Sequence, residues 1–397
     1  MADNSWVFGL RHQARCLTGV TASTEKSKFL VGTVGTKNNV VCLLDFDEEK
    51  SEIIPTLFDH PNEIWDIVSC PSDESLFFTC HSPVGADPSE KKATLWKQDI
   101  DNTSLKQVTT LKPSGIFKVL WDPTEEQQDA SRIIALGHSN IYLSTMNDGT
   151  EKQQATIKVL SNEEEDPWLQ NAAWNPHNKE SIITTAGRDL AGWDLRSGKN
   201  EFNRKMAHQS TIRAVDCNAN KPYHVATGGD DAKVRIWDVR QLGEPVMMVE
   251  GHTHWIWSVA FNKFHDQLLL TSGSDTVVNL HNVVSVSSAS YLGHSSDSSN
   301  NSTSSCRSSQ SNDNDSSNNK SGSDSHGNNS DGQQDDNYWN SHKPTDGLIC
   351  TYDQHEDSVY SVAWSPADTW TFASLSYAGR VVISQVPMTE KFKILGV

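Results

Sequence analysis

The sequence predicts an all-β fold, a single seven-bladed β-propeller with one disordered low-complexity insert before its last blade. Three observations lead there. A unit of two to three apolar strands, opened by a His-containing turn and often closed by Trp-Asp, recurs along the chain; Ala207–Arg240 (AHQSTIRAVDCNANKPYHVATGGDDAKVRIWDVR) is its clearest copy. The copies are spaced by about 43 residues, a period that belongs to stacked supersecondary units, not to one continuous core. The one interval that breaks the period coincides with a break in composition.

The first strands of the copies end at Ser69, Trp121, Trp174, Cys217, Phe261 and Trp364. The step from Trp174 to Cys217 is 43 residues and that from Cys217 to Phe261 is 44, but Phe261 to Trp364 is 103. Within that gap, Ser295 to Asn337 holds 16 Ser, 9 Asn and 7 Asp in 43 residues, with no Leu, Ile, Val, Phe or Trp. Such a stretch buries too little apolar surface to offset its ordering entropy and is expected to be disordered. Boundaries follow: residues 1–284 form blades one to six, 285–346 the insert, and 347–397 the end of the sixth blade and the seventh, with Leu348–Tyr352 resuming the fold.

A seventh unit stands at the N-terminus, with strand candidates Ala14–Val20, Phe29–Val34, Val40–Phe46 and Ile53–Phe58. The last copy supplies three strands, Tyr360–Trp364, Thr371–Leu375 and Val381–Val386. The unpartnered candidate Trp6–Leu10 is expected to close the ring as the outer strand of that blade, leaving only short, protected edges. Lys391–Val397 is the second candidate for this role.

This Gly-His to Trp-Asp grammar is that of WD40 repeats. In such a blade the turn His, a Ser or Thr of the second strand, the turn Asp and the Trp of the third strand form a buried hydrogen-bond network, so these residues are structural first. The expected members are His208, Thr227, Asp231 and Trp237 in one blade, and His252, Ser272 and Asp275 in the next, where His281 replaces Trp. The last blade offers His355 and Ser374, with Ala378 in the Asp position and Ser384 in the Trp position. The blade ending at Arg196 keeps Trp193 but carries Asp189 two places late.

The formal charge is −18, and the low-complexity stretch contributes −5 of it, leaving about −13 on the body. An acidic body with no basic cluster longer than Lys91-Lys92 disfavours nucleic acid and anionic lipid alike, and points to protein partners. No run of 18 apolar residues exists, and the N-terminus lacks an apolar signal core, so a cytoplasmic protein without membrane insertion is expected. Seven Cys without a C-x-x-C spacing read as small buried residues in a reducing compartment.

Nucleophile-elbow, phosphate-loop, zinc-protease and kinase signatures are absent, and no enzyme and no cofactor are expected. His252-x-His254 is not a metal pair, because His252 already belongs to a blade network. The acidic run Glu163–Asp166 reads as a solvated connection. One pattern points to a second function: Asp231, Trp237, Asp238 and Arg240 have the spacing of the DWD box, which resembles that of substrate receptors of cullin-RING ubiquitin ligases.

Several longer stretches are more specific. They are GLRHQARCL (Gly9–Leu17), FLVGT (Phe29–Thr33), NEIWDI (Asn62–Ile67), HTHWIWSV (His252–Val259), HDQLLLT (His265–Thr271), HEDSVYSVAWS (His355–Ser365) and FASLSYAGRVVI (Phe372–Ile383). They resemble the EARP-interacting protein family, WD40 proteins that bind the EARP and GARP tethering complexes. The shared stretches include positions outside the blade network, such as Gln13, Arg15, Trp255, Trp257 and Tyr360; Ala378 departs from the family's usual Asp. The resemblance implies a non-catalytic adaptor, monomeric on its own. It would lie peripherally on endosomes and the trans-Golgi network and serve endosomal recycling, endosome-to-Golgi retrieval and, in animal relatives, dense-core vesicle formation. Partner binding is expected where the first strands of the blades begin, with Glu63, His254, Trp255, Asp357 and Tyr377 as candidates.

Overall fold

In the sixth and seventh blades the second strand carries no charged residue and needs cover on both faces: Leu268–Gly273 and Thr371–Ser376 are buried at every position. In the computed structural model, neighbouring blades supply that cover. The structure describes residues 5–35, 37–123, 131–147, 149–159, 168–289 and 345–396. Among them, seven four-stranded antiparallel sheets are each built from consecutive strands a to d, with one exception at the closure. The a strands are Ala14–Gly19, Glu63–Ser69, Ile116–Trp121, Leu169–Trp174, Ile212–Cys217, Ile256–Phe261 and Val359–Trp364. Each touches the a strand on either side, and the last touches the first, so the blades form a closed ring. The core lies between blades: Phe29, Val31 and Leu44 of the first pack on Ala373, Leu375 and Ile383 of the seventh. Strand d is largely solvent-facing, as in Glu52–His60.

The exception is the seventh blade, whose outer strand is Ser5–Gly9, paired antiparallel with Arg380–Gln385 in the register Ser5 to Ser384 and Gly9 to Arg380. Trp6 rests on Phe46 of the first blade with ring centroids 4.6 Å apart. The other candidate closer is not a strand. Met388–Leu395 is a helix that buries Glu390, whose carboxylate accepts from Asn282 (3.3 Å) and Lys393 (3.1 Å).

The sixth blade takes its strand d, Gly347–Tyr352, from beyond the low-complexity stretch. Ser295–Asn337 and Glu163–Asp166 lie outside the described residues. The insert starts later than Ser285, where composition first changes. Val284–Val286 form a short 3-10 turn, Val286 is buried in the core between the fifth and sixth blades, and its carbonyl meets His224 Nδ1 at 2.7 Å. Composition missed this because a Ser-rich stretch with two valines can still pack when the valines point inward.

Candidate functional site

In the blades that carry it, the turn His joins strand b through a hydroxyl and the b–c turn through an Asp. In the fifth blade His208 bonds Asp231 through Nδ1 (3.0 Å) and Thr227 through Nε2 (2.8 Å), and Trp237 Nε1 donates to the same hydroxyl at 2.9 Å. Burial opposes a charge on Asp231, but the hydrogen bond and charge of His208, with Arg235, hold its carboxyl well below the usual range. In the sixth blade His252 bonds Asp275 (2.9 Å) and Thr271 (2.8 Å), and His281 replaces Trp on the Thr271 hydroxyl at 3.1 Å. Ser272 is therefore not the network residue. It lies one position on, and its buried hydroxyl has no hydrogen-bond partner there. A one-residue step along a strand reverses the face a side chain points to, and the sequence TSGSD offers two hydroxyls in a row. The second blade holds a set that sequence reading passed over, His60 and Trp96 both on Thr79 at 3.2 and 2.8 Å. The seventh keeps only His355 on Ser374 (2.8 Å), and His355 Nδ1 is left without a partner. In the fourth blade Trp193 donates to Thr184 (3.0 Å), while the displaced Asp189 caps the backbone N–H of Met206 at 2.8 Å.

The a–b ladder of every blade contains a bulge at the same place, directly after the first apolar residue of a. The register skips one residue between Ala14 and Cys16, Ile64 and Asp66, Ile116 and Lys118, Leu169 and Asn171, Ile212 and Ala214, Ile256 and Ser258, and Val359 and Ser361. A bulge leaves one residue unpaired and re-aims its side chain. The residues concerned are Arg15, Trp65, Phe117, Gln170, Arg213, Trp257 and Tyr360, one from each blade, gathered on the front face where the a strands begin.

Five of them, on blades two, one, seven, six and five, form a continuous aromatic and cationic arc. Lys91 stands 4.4 Å over the ring of Trp65, and Arg15 lies 5.4 Å from Trp65 and 4.5 Å from Tyr360. Tyr360 packs on Trp257 at 4.6 Å, and Arg213 stands 4.9 Å over Trp257 and 5.5 Å over Trp255. Both bulge tryptophans are fixed in the same way: Trp65 donates to Ser82 at 2.9 Å and Trp257 to Ser274 at 2.6 Å, each a serine of the adjoining b–c region 17 residues on. Arg213 is held by both oxygens of Asp230 at 2.7 and 2.8 Å.

The five candidate binding residues fall around this arc unequally. Trp255, 42% exposed, meets Trp257 edge-on at 6.0 Å, and exposed His254 lies beside it at 5.2 Å. Tyr377 is 5.7 Å from Tyr360. Glu63 begins the a strand that carries Trp65, half-buried. Asp357, half-buried, accepts from the N–H of Ser358 at 2.7 Å. Arg15, Trp65 and Arg213 were not among the candidates; the signal for them was their shared place, one residue after the first apolar residue of each a strand.

Deeper along the a strands, burial raises the Asp66 carboxyl and pushes that of Asp216 up to about 6, with Lys118 opposing both. Asp216 accepts from the N–H groups of Cys217 (3.0 Å) and Phe261 (2.8 Å), so it braces the fifth blade to the sixth. Among the described residues no group of three or more His, Cys, Asp or Glu is arranged to hold a metal ion. Aromatic faces and guanidinium groups bind; they do not supply a nucleophile and its base.

The DWD residues are split between interior and surface. Asp231 and Trp237 are consumed by the blade network, and Asp238 is buried and holds Arg240 at 2.6 Å. Only Arg240 faces outward, 4.4 Å over the exposed ring of Tyr223. It follows the end of its strand, on the back face, opposite the aromatic arc.

Fold and arc together define a WD40 propeller of the protein-interaction scaffold class. The family profile of the EIPR1 beta-propeller matches residues 2–281, and that of the WD domain, G-beta repeat matches residues 347–383. The chain is 34% identical to human EARP and GARP complex-interacting protein 1 and 33% identical to EARP-interacting protein 1 of Caenorhabditis elegans, over 99% and 98% of both chains. It is also 30% identical to the WD repeat-containing protein DWA2 of Arabidopsis thaliana, covering 96% of this chain and 95% of that one. The chain belongs to the EARP and GARP complex-interacting protein family. Among the described residues, no helix is long and apolar enough to cross a membrane.

Proposed function

We propose that this protein is a non-catalytic adaptor that binds the EARP and GARP tethering complexes through its front face. It assists their recruitment to endosomal and trans-Golgi membranes, in endosomal recycling and endosome-to-Golgi retrograde transport. The observation that carries this reading is identity of about a third, sustained over nearly the whole of both chains, with proteins named for these complexes. The absence of any catalytic signature and the half-buried aromatic arc, with Trp255 exposed at its side, support it. The protein acts from the cytoplasm as a peripheral, monomeric factor. Trp255 is the natural first test, because it is exposed and its loss spares the blade core. Trp255→Ala should remain folded by circular dichroism and lose tether subunits in affinity purification. Undiminished capture would move the binding surface elsewhere.

The ligase reading rests on Arg240 alone, the one DWD residue that faces outward. Arg240→Glu should leave the melting temperature within about 2 °C and tether capture unchanged. If it instead removes a cullin adaptor that the wild-type chain captures, the ligase reading outranks the adaptor.

A further inference from the structure

Arg15 is set apart from the ion-paired arginines by what surrounds it. Arg132, Arg213, Arg235, Arg240 and Arg380 each pair with a carboxylate within 3.0 Å. Arg15, half-buried at the centre of the arc, forms no ion pair and donates no hydrogen bond among the described residues, in a chain with 51 acidic against 33 basic side chains. Its guanidinium instead lies within 6 Å of three rings, those of Trp65, Tyr360 and Tyr377 at 5.4, 4.5 and 5.9 Å. Aromatic faces hold a guanidinium plane in place and shield it from water while leaving its N–H fork unused. A preorganised fork of this kind matches a carboxylate, which accepts two parallel hydrogen bonds.

We propose that the front-face arc receives an extended acidic segment of a protein partner, with one Asp or Glu carboxylate on Arg15. The inference rests on the adaptor reading and names the chemistry of its contact. A carboxylate fits better than a phosphate group. Arg213 is already committed to Asp230, and Lys91 is seated over the ring of Trp65, so a dianion would meet one free guanidinium fork on a strongly acidic body. The rings are held before the partner arrives, since the indole N–H groups of Trp65 and Trp257 are bonded within their own blades. Little side-chain ordering is then left to oppose binding.

The test uses the full-length chain as probe on overlapping 15-residue peptides tiled across the tether subunits. Each binding peptide is remade with single Asp→Asn or Glu→Gln changes, and with phosphorylated Ser or Thr. One amide change per peptide should weaken binding at least about tenfold, and Arg15→Gln should do the same. The two together should weaken it little further, because they remove one contact. Arg15→Lys, which keeps the charge and loses the fork, should fall between. Should Arg15→Gln fail to fold, Arg15→Lys and the amide changes carry the test, the latter leaving the protein untouched. Peptides indifferent to amide change and to Arg15→Gln overturn the inference, as does binding confined to phosphorylated peptides. Wild-type protein that captures no tether overturns the adaptor reading itself, whereas capture that survives Arg15→Gln overturns this contact only.

Discussion

The fifth and seventh blades solve the same packing problem with different means. The fifth closes its His–Thr–Asp–Trp network completely, with Arg235 adding a bond to Asp231 at 2.8 Å. The seventh keeps His355 on Ser374 but has Ala378 and Ser384 where Asp and Trp would stand. What it lacks in network it supplies by closure. Ser384, fully buried, meets the Ser5 hydroxyl at 3.0 Å across the ladder that joins the N-terminal strand to the C-terminal blade. Backbone bonds Leu10 N–H to the Gly379 carbonyl (2.8 Å) and Ala14 N–H to the Tyr377 carbonyl (3.1 Å) continue the seam. Gly379 is needed there, because φ is +80° and a Cβ would run into the His12 carbonyl. A blade built from two ends of the chain is thus held by strand pairing, and one built from consecutive residues by its internal network.

The largest effect that would break this contrast comes from removing residues 1–10. That leaves the outward-facing N–H and C=O groups of Arg380–Gln385 unpaired and uncovers Phe46, and aggregation or a fall of more than about 10 °C in melting temperature is expected. A truncated chain that melts like the whole one would show that the seventh blade does not depend on its clasp.

Acidification comes next. Burial lowers His60, His81 and His355 to about 4 and His281 to about 3, so in the folded chain they stay neutral far below the ordinary value near 6.5. Their contribution to stability is complete above about 6.5 and is lost as pH falls through about 4, because only the unfolded chain takes up those protons. Asp216, raised to about 6, has the opposite sign: the stability it withholds above 6 returns as pH falls. Four histidines outweigh the two raised carboxyls, Asp66 and Asp216, and a melting temperature that drops between pH 6.5 and 4 is the expected reading. A flat profile would mean that these histidines are not held neutral.

Single hydroxyl changes sharpen the comparison. Thr227→Val strands both His208 Nε2 and Trp237 Nε1 and should cost about 2–3 kcal/mol in denaturant unfolding. Ser374→Ala strands His355 alone and should cost about 1 kcal/mol. Equal costs would mean that the complete network is no more cooperative than the partial one. The smallest effect is a gain. Ala378→Asp places a carboxylate beside the unpartnered His355 Nδ1 and should stabilise by about 1 kcal/mol while raising the titration of His355, as nuclear magnetic resonance would show. No change in either would mean that the clasp holds this turn away from the histidine.

Much of the fold was legible in the sequence because the network has fixed spacing. In four blades the turn His lies 19 residues before its hydroxyl, as His60 to Thr79, His208 to Thr227, His252 to Thr271 and His355 to Ser374. Holding to that spacing would have chosen Thr271 over Ser272 and revealed the second blade's set. The candidate site was legible in part. Trp255 and Tyr377 stand out as aromatic residues at strand ends, but Arg15 resembles any surface arginine until its neighbours are known.

The sequence by itself determined the repeat, its strands and the interrupted sixth blade. Alternation and turn chemistry act over a few residues, and every copy writes them again. Only the tertiary structure decided which residues meet at the front face. The partners of Arg15 lie on two other blades, and Tyr360 and Tyr377 come within reach of it because the ring closes Val359–Trp364 against Ala14–Gly19. That neighbourhood joins opposite ends of the chain. It exists because seven blades of this twist complete a circle and each a strand gives up one ladder pair to its bulge, a geometry that no local pattern specifies.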